Sequence, residues 1–368
     1  MFSVHFGKSG RNCEGMSRRN FLQIGSLGMA GLSLPGLLAS RAAGKQSADH
    51  ADTSVVWLWL NGGPTHIETF DPKMSAPVEY RSVTGEVKTS LPGITLGGNF
   101  GQLAHQAYKL AVVRSFTVPS SSHRTAAFWV NTGYDQVSNR PSLGSITARV
   151  RGANHRQTGM PTYVQIGRFG FNAYENTMSG PAWLGKAYAP FSPEGPARDD
   201  MNLSTEVRRL SDRKRLLTRL DKLRRDADAN GVMEGIDGFN QQALDLILGN
   251  APQAFDLQQE DPRTRARYGE GLGESLLLAR RFCETGCGFV GVSFQGWDMH
   301  GGIESRLNKY APEVDQAVSA FIEDIYQRGL DRKILFVLSG EFGRTPRINK
   351  NAGRDHWGNL STLAISGG

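Results

Sequence analysis

The chain has 368 residues, of which 39% are hydrophobic and 21% charged. That length holds two domains or one large α/β domain with insertions, and the apolar content supports a sizeable core, which excludes a wholly disordered chain. The net charge of +7 does not single out a nucleic-acid binder, because four of the seven charges fall within residues 1–43, where five basic residues oppose Glu14 alone.

The N-terminus reads as an export leader. Ser17-Arg18-Arg19-Asn20-Phe21-Leu22 precedes an apolar stretch from Ile24 to Leu38, and small residues around Ala39 to Ala43 offer a cleavage region. A charged start, a short apolar middle and a small-residue end describe a secretory signal. The paired arginines followed by Phe and Leu resemble a twin-arginine leader. Residues 1–43 are therefore expected to engage the twin-arginine translocase and deliver a periplasmic or secreted protein. Gly25, Gly28, Gly31 and Pro35 interrupt the apolar run, which is shorter than the ~20 residues of a membrane span. No stable span is expected after cleavage.

Six β-rich runs follow: Val55–Leu60, Leu110–Phe116, Thr162–Ile166, Gly288–Phe294, Lys333–Leu338 and Thr362–Ile365. Several are apolar without alternation, as in strands buried on both faces of a parallel sheet. Helical patterns intervene at Thr205–Ala229, Phe239–Leu248, Thr264–Glu284 and Leu307–Arg328. Strands alternating with helices predict a three-layer α/β/α fold around a mostly parallel sheet. Residues 168–204 read as a loop insertion and 205–250 as a helical one. The basic run Arg208–Arg225 is interleaved with Asp212 and Asp221, which suits a solvated helix face and no nucleic-acid partner. Three cysteines make no disulfide framework; Cys283 and Cys287, four apart on an expected helix, read as packing residues.

Polar residues gather where the strands end, the place where open α/β sheets bind ligands. The first run ends in Asn61-Gly62-Gly63-Pro64-Thr65-His66, followed by Glu68 and Asp71; the second leads into Ser120-Ser121-Ser122-His123-Arg124-Thr125. The fourth ends in Gly296-Trp297-Asp298-Met299-His300-Gly301-Gly302, and the fifth in Gly340-Glu341-Phe342-Gly343-Arg344-Thr345, with Asp355-His356 beyond. Carboxylates mixed with imidazoles suit zinc, manganese or iron, whereas all-oxygen sets suit magnesium or calcium. Two such cations can clamp the attacking and leaving oxygens of a displacement at phosphorus, and a sulfate ester makes similar demands. Ser122, with Ser121 and Thr125 as alternatives, stands at a helix start where backbone N–H groups favour an anion. Arg344 is placed to pair with a phosphate or sulfate oxygen; a structural Glu341–Arg344 ion pair is the alternative. His123 is either part of the site or a helix-start residue, and Asp71 before Pro72 either a site residue or a turn initiator.

Gly62–Lys73, Asn131–Tyr134 with Arg140–Gly144, Gly296–Gly301, Glu341–Pro346 and Gly353–Trp357 together resemble the DUF1501 proteins over nearly the whole mature chain, 52–368. These are exported, sulfatase-like proteins abundant in planctomycetes, placed in the alkaline phosphatase/sulfatase superfamily. The resemblance implies an alkaline phosphatase-like fold and a two-metal site. Asp298 with His300 would form one metal pair and Asp355 with His356 the other, with Glu341 added to the set. Ser122 and His123 would be catalytic, and His66 and Arg344 would bind substrate. The implied cofactors are divalent ions (zinc, manganese, calcium or magnesium). The implied substrate is an anionic ester, such as a sulfated or phosphorylated glycan.

Two departures from that pattern stand out. The superfamily places an Asp directly after its first strand, where this chain has Asn61, leaving Glu68 or Asp71 to reach back. The chain also stops at Gly368, where family members continue, so it reads as truncated at the C-terminus. Cys-x-Pro-x-Arg is absent, which disfavours a formylglycine sulfatase. The expected function is metal-dependent hydrolysis of phosphate or sulfate esters; the alternative is a non-catalytic binding protein on the same fold.

Overall fold

The computed structural model describes residues 53–135, 138–169, 178–194 and 251–368. β1 (Ser54–Leu60) reads Ser-Val-Val-Trp-Leu-Trp-Leu and is almost wholly buried, because both of its faces are covered. It lies inside a six-stranded sheet with β2 (Ala111–Val112), β3 (Tyr163–Ile166), β4 (Phe289–Phe294), β5 (Ile334–Ser339) and β6 (Leu363–Gly367). The order is β2-β6-β5-β1-β4-β3. β1, β3, β4 and β5 run parallel, with Val56 opposite both Val290 and Phe336. β6 runs antiparallel to β5 and pairs β2 on its outer edge.

All six β-rich runs therefore enter one sheet. The second shrinks to two residues, since exposed Arg114 and Ser115 follow it at the sheet edge. Alternate side chains of β1 divide between two cores. Val56, Leu58 and Leu60 join Val290, Val292, Phe336 and Leu338 on one face; Trp57 and Trp59 join Tyr163 and Phe289 on the other.

The second face is covered by α1 (His123–Thr132) and α2 (Leu143–Arg151), through Ala127, Phe128 and Ala148. The first face is covered by α4 (Leu272–Glu284) and α5 (Ile303–Gln327), with α3 (Pro262–Tyr268) beside them. In α5, Leu307, Ala311, Val314, Val318, Phe321 and Ile325 repeat at helical spacing and are all buried. The result is the expected three-layer α/β/α fold.

Three expectations need correction. The helix read over Thr264–Glu284 is two helices, because Gly269 (φ 81°) and Gly271 (φ 59°) take left-handed conformations that a helix cannot continue through. The last long helix starts earlier, at Ile303. Cys287 does not share a helix with Cys283: α4 ends at Glu284 and Cys287 leads into β4. Both thiols are free. Burial pushes both upward, Cys287 to about 12, as suits packing residues.

The leader and the helices expected within 205–250 lie outside the described residues, as do 170–177 and 195–204 of the loop insertion. The described part of that loop includes Phe169, packed in the second core, and short 3-10 turns at Ala182–Leu184 and Lys186–Tyr188. Among the described residues, no helix is long and apolar enough to cross a membrane.

Phe336 is fully buried at the centre of the sheet, whereas Val150 on α2 is 79% exposed. Phe336→Ala should lower stability by about 3–5 kcal/mol in urea denaturation. Val150→Ala should change it by no more than about 0.5 kcal/mol.

Candidate metal centre

The loops after β1, β4 and β5 meet at the carboxyl end of the sheet, and one side chain ties them together. Arg344 is fully buried. Its guanidinium donates to the carbonyls of Gly62, Gly63 (2.9 Å) and Arg354 (3.0 Å) and to Asp298 Oδ1 (2.5 Å). Gly343–Arg344 also pairs in a short antiparallel ladder with His356–Trp357, which sets His356 opposite Arg344. Gly62 has φ +119°, and a Cβ there would collide with the Asp298 backbone nitrogen, so this close loop crossing requires glycine.

Around Asp298 stand three histidines. His123, the first residue of α1, places Nε2 3.5 Å from Asp298 Oδ1; His356 Nε2 lies at 3.2 Å and His300 Nε2 at 3.0 Å. His300 Nε2 and His356 Nε2 are 2.8 Å apart. Ligand atoms of His123, Asp298 and His356 all lie within 4.8 Å of one another. Buried Phe342 walls one side, its ring 4.8 Å from His123 and 4.5 Å from His356.

The other nitrogen of each ring has a partner that can only accept. His123 Nδ1 meets Glu341 Oε1 at 2.7 Å, His300 Nδ1 meets Asp355 Oδ1 at 3.2 Å, and His356 Nδ1 meets the Ser121 carbonyl at 3.0 Å. Carboxylates and carbonyls accept hydrogen bonds, so each Nδ1 donates a proton outward, which leaves each Nε2 as the nitrogen that a cation could engage. Two imidazole nitrogens at 2.8 Å require a proton or a cation shared with them. Imidazole tautomers fixed by outer carboxylates are how proteins prepare metal ligands.

The electrostatics agree. Burial would raise the Asp298 carboxyl, but hydrogen bonds from His123, His356 and Arg344 outweigh it and hold the group well below the usual carboxylate range. Burial would lower His123, yet its bonds to Asp298 and Glu341 raise it to about 9. Without metal, His123 is therefore an imidazolium at neutral pH, and a cation must displace that proton to bind.

The structure redistributes several expected roles. Asp298 and His300, expected as one metal pair, stand together with His356 of the other, and His123, expected to be catalytic, lies among them. Glu341 stands behind His123: it accepts from Gly62 N at 3.0 Å, and its buried Oε2 has no hydrogen-bond partner among the described residues. Asp355 stands behind His300 at the exposed rim and also accepts from Asn349. Ser122, whose carbonyl accepts from Ala126 N to open α1, is exposed between Ser121 and His123, both bonded into the cluster.

Arg344 is not free to face an anion, because its donors are spent on carbonyls, Asp298 and His300 Nε2; nor does it pair with Glu341. His66 is buried, with its ring stacked on Trp357 and its Nδ1 unpartnered, so it supports the strand bearing His356. Glu68 and Asp71 do not reach back to the cluster. Glu68 is fully buried in an ion pair with fully buried Arg354 (2.7 Å), and Asp71 pairs with Lys73 and Arg114. Asn61 instead donates to Gln295 Oε1 at 2.6 Å. Sequence reasoning missed the Glu68–Arg354 pair; two opposite charges in glycine-flanked clusters were its only signal.

The model of a family described as "Protein of unknown function (DUF1501)" matches residues 52–368. No curated protein matches the chain. Solved structures that resemble it include the C-terminal periplasmic domain of EptC from Escherichia coli in complex with zinc, at 9% identity and TM-score 0.40, covering 87% of this chain and 74% of that one. Another is alkaline phosphatase from the Antarctic bacterium TAB5, at 11% identity and TM-score 0.35, covering 86% and 92%. A third is the lipooligosaccharide phosphoethanolamine transferase A of Neisseria meningitidis, at 9% identity and TM-score 0.37, covering 95% and 57%.

His66 yields a pH prediction. Burial, the largest influence, lowers it from 6.5 to about 4; Arg354 and Lys73 add to this and Asp71 opposes it. The folded state therefore binds the proton less readily than the unfolded state. The stability this gives is full above pH 6.5 and is lost as pH falls toward 4, by up to about 3 kcal/mol. Urea denaturation at pH 7 and pH 4.5 should show a smaller acid loss for His66→Gln than for the wild type. Equal losses would contradict the assignment.

Proposed function

We propose that this chain, which belongs to the DUF1501 family, is an exported metal-dependent hydrolase of phosphate or sulfate esters. The observation that carries this reading is the convergence of three Nε2 atoms on Asp298, each ring held in its tautomer from behind. Three imidazoles and one carboxylate fit zinc or a similar transition ion better than magnesium or calcium. His123, His300, His356 and Asp298 would hold the ion, while Glu341 and Asp355 orient two of the rings. A bound ion of this class supplies Lewis acidity toward an ester oxygen.

The remaining chemistry belongs to the chain. Ser122 is our candidate nucleophile: it is exposed, immediately precedes His123, and lies at the N-terminal end of α1, where the helix dipole favours an anionic ester group. His123, whose Nε2 would hold the ion and whose Nδ1 faces Glu341, directly follows that hydroxyl in the chain. Arg344 and the Gly62 crossing keep Asp298 in place rather than touching substrate. A sulfated or phosphorylated glycan is the substrate class this reading carries forward from the sequence. Export rests on the pattern of residues 17–43, and the twin-arginine route on Arg18-Arg19.

Metal analysis with turnover of an aryl phosphate and an aryl sulfate tests the reading. The purified wild type should carry divalent metal. His300→Ala and His356→Ala should lose most of it, while His155→Ala, outside the cluster, should not. Ser122→Ala should keep the metal but lose turnover by on the order of 10³ or more. Equal metal in all three histidine variants would sink the metal site. A metal-loaded wild type that turns over neither ester would favour a binding protein. For export, changing both Arg18 and Arg19 to Lys should leave precursor in the cytoplasm, and unimpaired export would remove that route.

A further inference from the structure

The opposite end of the sheet carries a second polar concavity. The parallel strands β1, β3 and β5 begin there, and a cleft of about 830 Å³ lies against Ser54, Thr162 and Ile334 at their starts. A seven-residue strand separates the two ends by about 23 Å, so this cleft is remote from the histidine cluster.

Its charge is one-sided. Arg151, Arg156 and Lys333 line it together with His155, and among the described residues the one carboxylate in its lining is Glu284. Glu284 is already neutralised by buried Arg280 and by Arg328 at 3.9 Å. Arg151 uses one N–H on the Thr53 carbonyl at 2.8 Å, and none of the three lining cations forms an ion pair among the described residues. Arg151 closes α2, where a cation offsets the negative end of the helix dipole. Arg156 and Lys333 lie beyond any helix end, so that role does not account for them. Concentrated, uncompensated positive charge in a concave surface focuses potential and gathers anions, and the volume falls in the range of small-molecule sites.

We propose that this cleft binds a small polyanion carrying two or more phosphate or sulfate groups, at a site separate from the metal centre. Three cations lining one cleft of 830 Å³ can engage more than one anionic group, which a single oxyanion does not supply. The inference does not depend on the hydrolase reading, since no cleft residue belongs to the histidine cluster.

Calorimetric titration of the full chain with inorganic pyrophosphate at low ionic strength tests it. Saturable binding should persist in His356→Ala, because the cleft does not use the metal centre. The double variant Arg156→Gln/Lys333→Gln changes two exposed residues and should bind at least tenfold more weakly. Lys88→Gln/Arg263→Gln, with the same loss of charge elsewhere on the surface, should bind as the wild type does. Inorganic sulfate should bind at least tenfold more weakly than pyrophosphate. The proposal is overturned if His356→Ala abolishes binding, if both double variants weaken it equally, or if sulfate binds as tightly as pyrophosphate.

Discussion

A guanidinium buried away from water requires compensation in full, and Arg344 obtains it from three chain segments at once. Its partners are Gly62 and Gly63 after β1, Asp298 after β4, and Arg354 in the loop that carries His356. Each partner restricts where its loop can run. The Gly62 crossing, the position of Asp298 and the ladder that presents His356 all follow from satisfying this one side chain. A second buried pair, Glu68 with Arg354, braces the same region from below the first loop. Removing either partner of such a pair strands a buried charge, so these residues hold the loops in one arrangement.

On that frame the fold builds a site with inner and outer parts. Inside are Nε2 atoms and a carboxylate; outside are Glu341, Asp355 and the Ser121 carbonyl, each fixing a ring. The outer partners come from three different loops, so the three rings are oriented independently and still converge. Ser122 gains its place from the same arrangement, because the Ser121 carbonyl bonded to His356 and the His123 ring bonded to Glu341 pin the chain on either side of it. The basic cleft at the strands' amino ends shares the scaffold but none of these residues.

The fold was legible because its signals are local. Five of the six β-rich runs carry enough Val, Ile, Leu and Phe to declare a strand, the second shrinking to a short edge pair, and α5 shows its apolar stripe without ambiguity. Gly269 and Gly271 declared a break that the apolar pattern around them masked. Asp298, His300 and His356 were legible as one polar cluster because carboxylate and imidazole gather with glycine after strands. Arg344 was read facing outward because a sequence shows its charge but not its direction; only the folded loops reveal the carbonyls waiting for it. The Glu68–Arg354 and His123–Glu341 pairings span 286 and 218 residues, and no spacing rule reaches across such distances. His66 illustrates the converse: its place in a polar cluster suggested chemistry, while burial against Trp357 makes it a neutral packing residue.

The central claim is that three imidazoles and Asp298 form a cation site with Nε2 coordination. Anomalous diffraction at the zinc absorption edge, from crystals of the protein grown with one equivalent of zinc, tests it most directly. The account predicts a strong peak bounded by Nε2 of His123, His300 and His356 and by Asp298, with Glu341 and Asp355 still bonded to the outer nitrogens. A peak located elsewhere, or no peak in crystals whose solution protein had been saturated with zinc, would contradict it.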